Sequence, residues 1–552
     1  MTLLQYLKFD DLSVFIGLFV VIFTLLIGQY SFGYMNKRKG LVRYYLYIIL
    51  TMVASLGVVF SNNLILFIVF WGFLGLLLYL LISFGQKKST SYTAKKSFII
   101  IGGTDAFMIL GIALLWQLSG TMQMDRMNIF FDTKKAIFAY LCLAAGVFAK
   151  AGAMPFHTWV PDTAEDAPTP VTAFLPASLD KLLGIYFLAR MSLHIFHMNI
   201  AMNTFLMAVG SITIVAAVMM ALIQHDLKRL LGYHAVSQVG YMILGIGTGN
   251  PIGIAGGLFH MLNHAIYKSC LFLSGGAVEK KSGTTDLDKL GGLAKVMPII
   301  FMTFLIAALA ISGVPPFNGF ASKWMVYQGI IELGSRGGYF WIVWLVAAMF
   351  GSALTLASFM KLIHAVFLGQ PSQDIAPTIQ EPGSEETDIN MWMPSATLAF
   401  LCVLFGVFAY RVPLKNFIFP SLPYEVKILG IWDSGMATLL IVIGLFFGLL
   451  IYLLGSQFKS RTTDVFIGGE DIEKHPDMRL SGTDFYNSIQ KMGGLEKIYR
   501  MADKKAFDIY EVGTKMTFGF NSMLRYIHNG VLSTYLSWCL LGMIILFLIL
   551  LR

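Results

Sequence analysis

The sequence predicts an all-α polytopic membrane protein with about 14 transmembrane helices. These would form two inverted repeats of five helices that each contain a broken helix, followed by a long amphipathic lateral helix. Of 552 residues, 57% are hydrophobic and only 13% are charged, whereas soluble proteins carry about 25% charged residues. Apolar runs long enough to span a bilayer recur along the chain, and prolines interrupt two of them at corresponding positions. This pattern excludes a soluble domain, a disordered chain and a nucleic-acid-binding protein.

Each apolar run is a candidate membrane-spanning helix, because a bilayer core needs about 20 apolar residues. The tenth run is too long for one straight crossing and contains Val314-Pro315-Pro316, so we expect a helix broken midway. No cleavable signal peptide is expected, because the first run lacks a basic leader and a small-residue cleavage site. The fourteen runs are 13–32, 41–60, 62–84, 95–116, 134–155, 171–193, 200–223, 228–247, 251–277, 297–333, 338–367, 391–410, 430–455 and 531–551.

The runs divide the chain into six expected parts. These are an N-terminal transmembrane helix, the first and second inverted-repeat halves, two C-terminal helices, an amphipathic lateral segment and a last anchor helix. The corresponding residues are 1–40, 41–193, 200–367, 391–455, 456–530 and 531–552.

Lysine and arginine are concentrated in alternate loops, those after the first, third, seventh and ninth helices. Cytoplasmic loops carry such an excess of basic residues. We therefore expect these loops and the lateral helix on the cytoplasmic side of a bacterial or archaeal inner membrane, with both termini outside. The same loops explain the net charge of +9 without a nucleic-acid partner.

Between the last two apolar runs, apolar residues recur at three- and four-residue steps from Leu495 to Ile527, and charged residues fill most of the opposite face. This periodicity predicts an amphipathic helix of about 33 residues and roughly 50 Å. It fits a helix on the membrane surface. It also fits a brace that lies across neighbouring membrane subunits.

Ionisable residues inside the apolar runs are the candidate functional groups, because a charge within the bilayer is unfavourable and marks ion pathways. The pattern on the ninth run, with imidazole and lysine at four-residue steps, lines one helix face and suits a proton wire. It offers no carboxylate or thiolate to complete a metal site. The candidates are Asp105, Lys150, Asp180, Lys181, His234, His260, His264, Lys268 and Lys323.

Several of these charges also have structural interpretations. Asp180 and Lys181 could form a local ion pair, Lys361 could extend to the interface, and His364 could be a hydrogen-bonded core histidine. We expect no cofactor in this chain, because the four cysteines are scattered and no dinucleotide-binding turn or haem-ligand spacing occurs.

Five motifs in order resemble the antiporter-like membrane subunits of respiratory complex I, a family that also includes subunits of Mrp antiporters and group 4 energy-converting hydrogenases. The resemblance covers roughly residues 25–370. The lateral helix followed by one last span resembles the distal subunit of that family, although this chain begins two helices later. The motifs are KAGAMPFHTWVPD (150–162), APTPVTA (167–173), DLKRLLGY (226–233), SQVGYM (237–242) and HAIYK (264–268).

The resemblance assigns roles by position. Lys150 matches the central lysine of the first broken helix, and Lys323 matches the lysine after the second break. Asp105 matches an aspartate one helix before the central lysine. The residues that connect the two halves are matched by His260, His264 and Lys268.

Two positions depart from the family pattern. Gly72 follows Trp71 where the family has a glutamate, so the expected partner of Lys150 is missing. Either Asp105 takes over that role or the first half works differently. Asp180 and Lys181 stand where the distal subunit has a histidine, and a lysine near this position is closer to other members of the family.

The resemblance implies a proton-translocating membrane-arm subunit of a complex I-like, redox-driven pump of the quinone reductase or energy-converting hydrogenase type. Its partners would be other membrane-arm subunits, with redox subunits elsewhere in the complex. A proton would enter from the cytoplasm, be held between Lys150 and the ninth-helix row, and leave past Lys323. Alternatives are a subunit of an Mrp-type Na⁺/H⁺ antiporter, a membrane partner in inorganic-carbon uptake, and a scaffold whose first channel has decayed.

Overall fold

The computed structural model describes residues 6–335, 337–338, 340–372, 375, 386–428, 434–454 and 482–551. Across these ranges the chain is helical, and extended pairing is confined to isolated bridges such as Leu7 with Ser61. Every one of the fourteen predicted apolar runs contains a helix. Nine helices of the described part are long and apolar enough to cross a membrane by length and composition. The all-α membrane fold is thus confirmed.

The first half begins with one helix that precedes the repeat. Short π-helical turns, Leu175–Leu179 and Met191–Ile195, flank its last helix on either side. The helices are α1 (Asp11–Tyr34), α2 (Leu41–Phe60), α3 (Leu64–Ile82), α4 (Thr90–Ser119), α5 (Lys134–Ala151), α6 (Trp159–Asp166), α7 (Thr169–Phe174) and α8 (Asp180–Arg190).

The second half and the segments after it are also built from helices joined by short loops and turns. A π-helical turn, His364–Leu368, continues the last helix of this half. The helices are α9 (Ile200–Leu222), α10 (Leu227–Gly247), α11 (Pro251–Ser282), α12 (Pro298–Ser312), α13 (Asn318–Ser335), α14 (Trp341–Ile363), α15 (Ile389–Val407), α16 (Ser434–Leu454) and α17 (Asn487–Gln490).

Both predicted helix breaks are present, and they share one backbone geometry. The residue after α5 is Gly152 with φ of +77°, and the residue after α12 is Gly313 with φ of +81°. Glycine adopts this left-handed conformation without steric penalty and therefore ends helices well. At each break the next amide turns back to the helix, with Ala153 N donating to Phe148 O at 2.7 Å and Val314 N donating to Leu309 O at 3.0 Å.

Small residues let the central helices of the second half approach closely, as is usual within membranes. A Cβ at Gly240 of α10 would lie 2.5 Å from Gly210 O of α9. On the other side of α10, a Cβ at Gly245 would lie 2.8 Å from Gly257 Cα of α11. Because α10 is held on both faces in this way, α11 and its polar row lie in the middle of the protein.

Residues 493–551 form a separate unit of three helices, α18 (Gly493–Asp503), α19 (Ile509–Ile527) and α20 (Leu532–Leu550). The predicted 33-residue amphipathic helix is therefore present as two helices. Lys505 adopts a φ of +56° between them, and the Asp508 carboxylate caps α19 by accepting from Tyr510 N at 3.0 Å. Such a cap starts a new helix rather than continuing the old one. The earlier part of the predicted lateral segment, 456–481, lies outside the described residues.

An ion pair ties the start of the chain to the end of α8. Both guanidinium Nη atoms of Arg190 donate to the Asp10 carboxylate. Burial alone would raise the pKa of Asp10, but the hydrogen bond and charge of Arg190 outweigh it and lower the pKa to about 2. The Asp10 side chain remains 28% exposed, so solvent screening reduces the stabilisation.

We expect Asp10→Asn to lower the stability of the solubilised protein by about 1 kcal/mol at neutral pH. A lowered carboxyl pKa stabilises the fold fully above the unfolded pKa, near 4, and this contribution is lost as the pH falls through about 2. The unfolding temperatures of the unmodified protein and of Asp10→Asn should therefore differ at pH 7 and converge as the pH falls towards 2. An equal difference at all pH values would contradict this assignment.

Candidate functional site

Lys150 lies near the end of α5, fully buried, and an indole holds its ammonium group. Its Nζ donates to Trp71 O at 3.2 Å and lies 5.0 Å from the centre of the Trp71 ring. The same indole donates from Nε1 to Asp105 Oδ1 at 2.9 Å. Trp71 therefore links the lysine of α5 to the carboxylate of α4.

Gly72, the position where the family carries a glutamate, is half-buried, and a Cβ added there would meet nothing within 4 Å. A Cβ on Gly75, one turn further along α3, would lie 4.0 Å from Asp105 Oδ2. In this chain the carboxylate within electrostatic range of Lys150 on the α3–α4 side is thus Asp105.

Asp180 and Lys181 start α8, directly after the π-helical turn 175–179, and both are fully buried. Neither Asp180 oxygen nor Lys181 Nζ has a hydrogen-bond partner among the described residues, so the expected local ion pair is not formed. Asp180 interacts electrostatically with both Lys150 and Lys181. A Cβ on Gly152 would lie 3.1 Å from Lys181 Nζ, which places this ammonium group at the first helix break.

His260 begins the row on α11, and its imidazole is fixed by two hydrogen bonds. Nδ1 lies 2.9 Å from Ser322 Oγ, and Nε2 lies 3.0 Å from Gln238 Oε1. The Tyr267 hydroxyl is 3.3 Å from the same Nε2. This histidine is therefore held by three helices.

His264 and Lys268 continue the row one and two turns later. They are fully buried, and within the described part of the chain neither His264 nitrogen nor Lys268 Nζ has a hydrogen-bond partner. Both interact electrostatically with Lys181 of α8. Because buried polar groups are nearly always satisfied, the unsatisfied side chains of Lys181, His264 and Lys268 are candidates for a functional junction between the two halves.

Lys323 of α13 lies at the second break. Its Nζ donates to Ile311 O at 2.8 Å and lies 4.9 Å from the Tyr241 ring. Ile311 lies two residues before Gly313, so the Lys323 ammonium group lies beside the second break. His234 of α10 completes the set and interacts electrostatically with Lys268 and Lys323.

The structure thus brings all nine predicted residues into one buried series. It runs from the Lys150 cluster through Asp180 and Lys181 to the α11 row, and from there to His234 and Lys323. The sequence pattern alone did not assign a role to the side chains that position this series, although three of them lie in the SQVGYM and HAIYK motifs. These are Trp71, Gln238, Tyr241, Tyr267, Ser322 and Ser358.

Lys228 and Arg229 of the DLKRLLGY motif form ion pairs at the end of the helices that carries the basic loops. Glu165 accepts from Arg229 at 2.7 Å and from Lys87 at 3.4 Å. Burial raises the pKa of Glu165, but the hydrogen bond and charge of Arg229 and the charge of Lys87 outweigh this, so the pKa is lowered overall. A second pair, Lys228 with Glu279 at 3.1 Å, joins α10 to α11 nearby. These charges hold helices together outside the buried series.

Comparison with known proteins agrees with this architecture. Residues 61–355 match the family model described as NADH:quinone oxidoreductase/Mrp antiporter, TM. The chain is 35% identical over 431 residues to the Na(+)/H(+) antiporter subunit A1 of Staphylococcus haemolyticus, which covers 73% of this chain and 52% of that protein. Identity to the subunit of the same name from Staphylococcus aureus strain RF122 is 34% over 428 residues, with the same coverage. The chain spans about half the length of these curated relatives.

Two solved structures share the fold. A chain of the membrane-bound sulfane sulfur reductase, an archaeal respiratory membrane complex, superposes with a TM-score of 0.81 at 23% identity, covering 98% of this chain and 89% of that chain. A chain of the Mrp complex from Dietzia sp. DQ12-45-1b superposes with a TM-score of 0.67 at 23% identity, covering 74% and 82%. The helical architecture, the two broken helices and the match over residues 61–355 together show that this integral membrane protein belongs to the NADH:quinone oxidoreductase/Mrp antiporter transmembrane family.

Proposed function

We propose that this chain conducts protons across the membrane within a multisubunit complex that exchanges a monovalent cation for protons, in the manner of an Mrp-type antiporter. The observation that carries the proposal is the series of buried ionisable side chains from Lys150 to Lys323, in which neighbouring members interact electrostatically. Buried ionisable groups in series within the membrane are typical of proton relays. The names of the curated relatives favour cation exchange as the coupled process.

Lys150 and Asp105 form the first proton-holding unit in this mechanism. The Trp71 ring and carbonyl keep the Lys150 ammonium in place, while the indole N–H keeps the Asp105 carboxylate nearby. A carboxylate close to a lysine favours its protonated form. A change in the charge of Asp105 therefore alters how readily Lys150 releases its proton. In this mechanism Asp105 replaces the family glutamate as the partner of Lys150.

Lys181, His264 and Lys268 carry the proton between the two halves. Like charges in a buried site oppose one another, so a proton arriving at Lys181 favours release from the α11 row. Asp180 compensates one positive charge between Lys150 and Lys181. Each unsatisfied nitrogen of this junction has a lone pair or an N–H free for transfer.

Lys323 is the last residue of the series in this mechanism. It receives the proton through His260 and His234 and releases it on the side away from the basic loops. The orientation with basic loops in the cytoplasm is part of the proposal and follows the positive-inside rule.

A redox-driven pump is the second candidate function. It is favoured by the superposition with the archaeal respiratory complex, which covers 98% of this chain and so includes its C-terminal helices. In that case other subunits of the complex supply the electron transfer, and this chain contributes the same proton series.

The coupling is tested with the complete complex, purified with its partner subunits and reconstituted in liposomes that contain a pH-sensitive dye. We expect an imposed sodium gradient to generate a pH gradient that an equal potassium gradient does not generate. An uncoupler that dissipates the pH gradient serves as the control. A pH gradient that forms only when an electron donor and acceptor are supplied would overturn cation exchange in favour of the redox pump.

A further inference from the structure

Helix α14 carries a second polar column that the series above does not include. Ser358 and Lys361 lie about one turn apart on neighbouring positions of this helix, and His364 follows in the π-helical turn after it. Lys361 is 1% exposed, and its Nζ donates to Leu222 O at 2.7 Å and to Gln224 O at 2.9 Å. The ammonium group of Lys361 therefore ends inside the protein, at the C-terminus of α9.

The inner end of this column reaches the buried series. Ser358 Oγ lies 2.7 Å from His234 Nε2, and His234 interacts electrostatically with both Lys361 and Lys268. The other ring nitrogen, His234 Nδ1, is buried and has no hydrogen-bond partner in the described structure. An imidazole can accept a proton at one nitrogen and release one from the other. His234 is therefore placed to pass a proton from Ser358 towards α11.

The outer end of the column reaches water. Lys361 interacts electrostatically with Asp288, whose Oδ2 lies 2.9 Å from His225 Nδ1. The Asp288 side chain is 41% exposed and that of His225 is 55% exposed. Both residues lie in the basic loops, so this end of the column opens on the side predicted to be cytoplasmic.

A turn at residues 482–486 packs over the outer end of α14. The Thr483 hydroxyl donates to Asp288 Oδ1 at 2.5 Å, and the Tyr486 hydroxyl donates to Ala357 O at 2.8 Å. The Phe485 ring lies 5.2 Å from the His364 ring. The turn thus contacts the exposed carboxylate and the helix that carries the column.

We propose that Asp288, Lys361, Ser358 and His234 form a proton-uptake path into the second half, and that the turn 482–486 controls access to it. A proton passes from water to the Asp288 carboxylate, then to the Lys361 amine, and through the Ser358 hydroxyl to the His234 imidazole. Waters can bridge the longer steps. This inference rests on the proposed proton-conducting function and adds a route by which protons from the side of the basic loops reach His234 in the second half.

The hydrogen bonding of Lys361 permits this transfer. Two N–H bonds of Lys361 Nζ are directed at the carbonyl oxygens of Leu222 and Gln224. The remaining position on Nζ carries the transferred proton when the side chain is charged and a lone pair when it is neutral. A purely structural cap of α9 would explain these two bonds but not the contact between Ser358 and His234.

The first test compares two buried hydroxyls on α14. Ser358→Ala removes the proposed relay hydroxyl, whereas Thr355→Val removes one that only donates to Gly351 O within its own helix. In the reconstituted complex we expect Ser358→Ala to slow proton transport about tenfold and Thr355→Val to leave the rate unchanged. Equal rates in the two variants, with equal amounts of assembled complex, would overturn the path.

The second test does not depend on transport. Ser358→Cys, in a background whose four native cysteines are replaced, is exposed to a membrane-impermeant cationic thiol reagent from each side in turn. We expect labelling from the side of the basic loops, and faster labelling when Thr483→Val and Tyr486→Phe remove the two hydrogen bonds of the turn. Labelling from the opposite side alone, or none, would overturn the path, and an unchanged rate with the turn loosened would overturn its control of access.

A third variant separates this inference from the proposed function. If Lys150→Ala stops transport while Ser358→Ala does not, only the uptake path is wrong. If Lys150→Ala leaves transport unchanged, the proposed function itself is wrong, whatever Ser358→Cys shows.

Discussion

Replacing Lys150 with alanine is expected to abolish proton transport while the complex still assembles. Asp105 and Asp180 both interact electrostatically with Lys150, and no other described lysine contacts the Trp71 ring. Lys150→Arg should also be inactive, because a guanidinium keeps its charge and cannot release a proton in a protein. The measurement is the initial rate of dye-reported pH change in liposomes, with assembly checked on a native gel.

The matched control is Lys134→Ala, which removes an exposed lysine from the first turn of the same helix. This variant should transport at the normal rate. Unchanged transport in Lys150→Ala would remove the basis of the proposed series, since the remaining residues would then conduct without their central lysine.

Gly319→Ala is expected to be among the most destabilising single substitutions in the protein. A Cβ at this position would lie 1.8 Å from Ala310 O and 2.8 Å from Ala310 C, both of which are backbone atoms that cannot rotate away. Overpacking of this kind destabilises by about 1–3 kcal/mol or more. Because the strain falls between α12 and α13, it should also displace Lys323 from Ile311 O and stop transport.

Thermal unfolding of the purified complex and transport in liposomes should therefore both fall in Gly319→Ala. Gly102→Ala is the control, because a Cβ at Gly102 of α4 would meet nothing within 4 Å and alanine is favoured over glycine within a helix. If Gly319→Ala has normal stability and transport, then α12 and α13 can move apart at the second break without loss of either, which would contradict this prediction.

Hydropathy and periodicity predicted much of the fold because both depend on local sequence. The apolar runs marked where helices lie, and the prolines after α5 and α12 marked both breaks. The four-residue spacing of His260, His264 and Lys268 placed them on one face of α11. The amphipathic period near Lys505 predicted one helix where there are two, because a period describes the faces of a helix but does not exclude a capped interruption.

The contacts of the site could not be read from the sequence because they join distant segments. Trp71 and Lys150 are 79 residues apart, and nothing in their local sequences states that the indole holds the ammonium group. Lys361 looked like an interfacial lysine because its helix ends nearby, and only the position of α9 shows that its Nζ meets two carbonyl groups. Similarly, the half-exposed position of Gly72 depends on how α3 packs and not on its neighbours in sequence.

The backbone contact between Gly210 and Gly240 has a consequence for the timescale of transport. Helices this close cannot slide or separate without losing their packing, so motions of whole helices, which take microseconds to milliseconds, are suppressed around α10. Side-chain rotations occur in picoseconds to nanoseconds where space allows. Proton transfer along the buried series should therefore proceed by rotation of lysine and imidazole side chains while the helices keep their positions. Its rate should then depend on the charges of the neighbouring side chains.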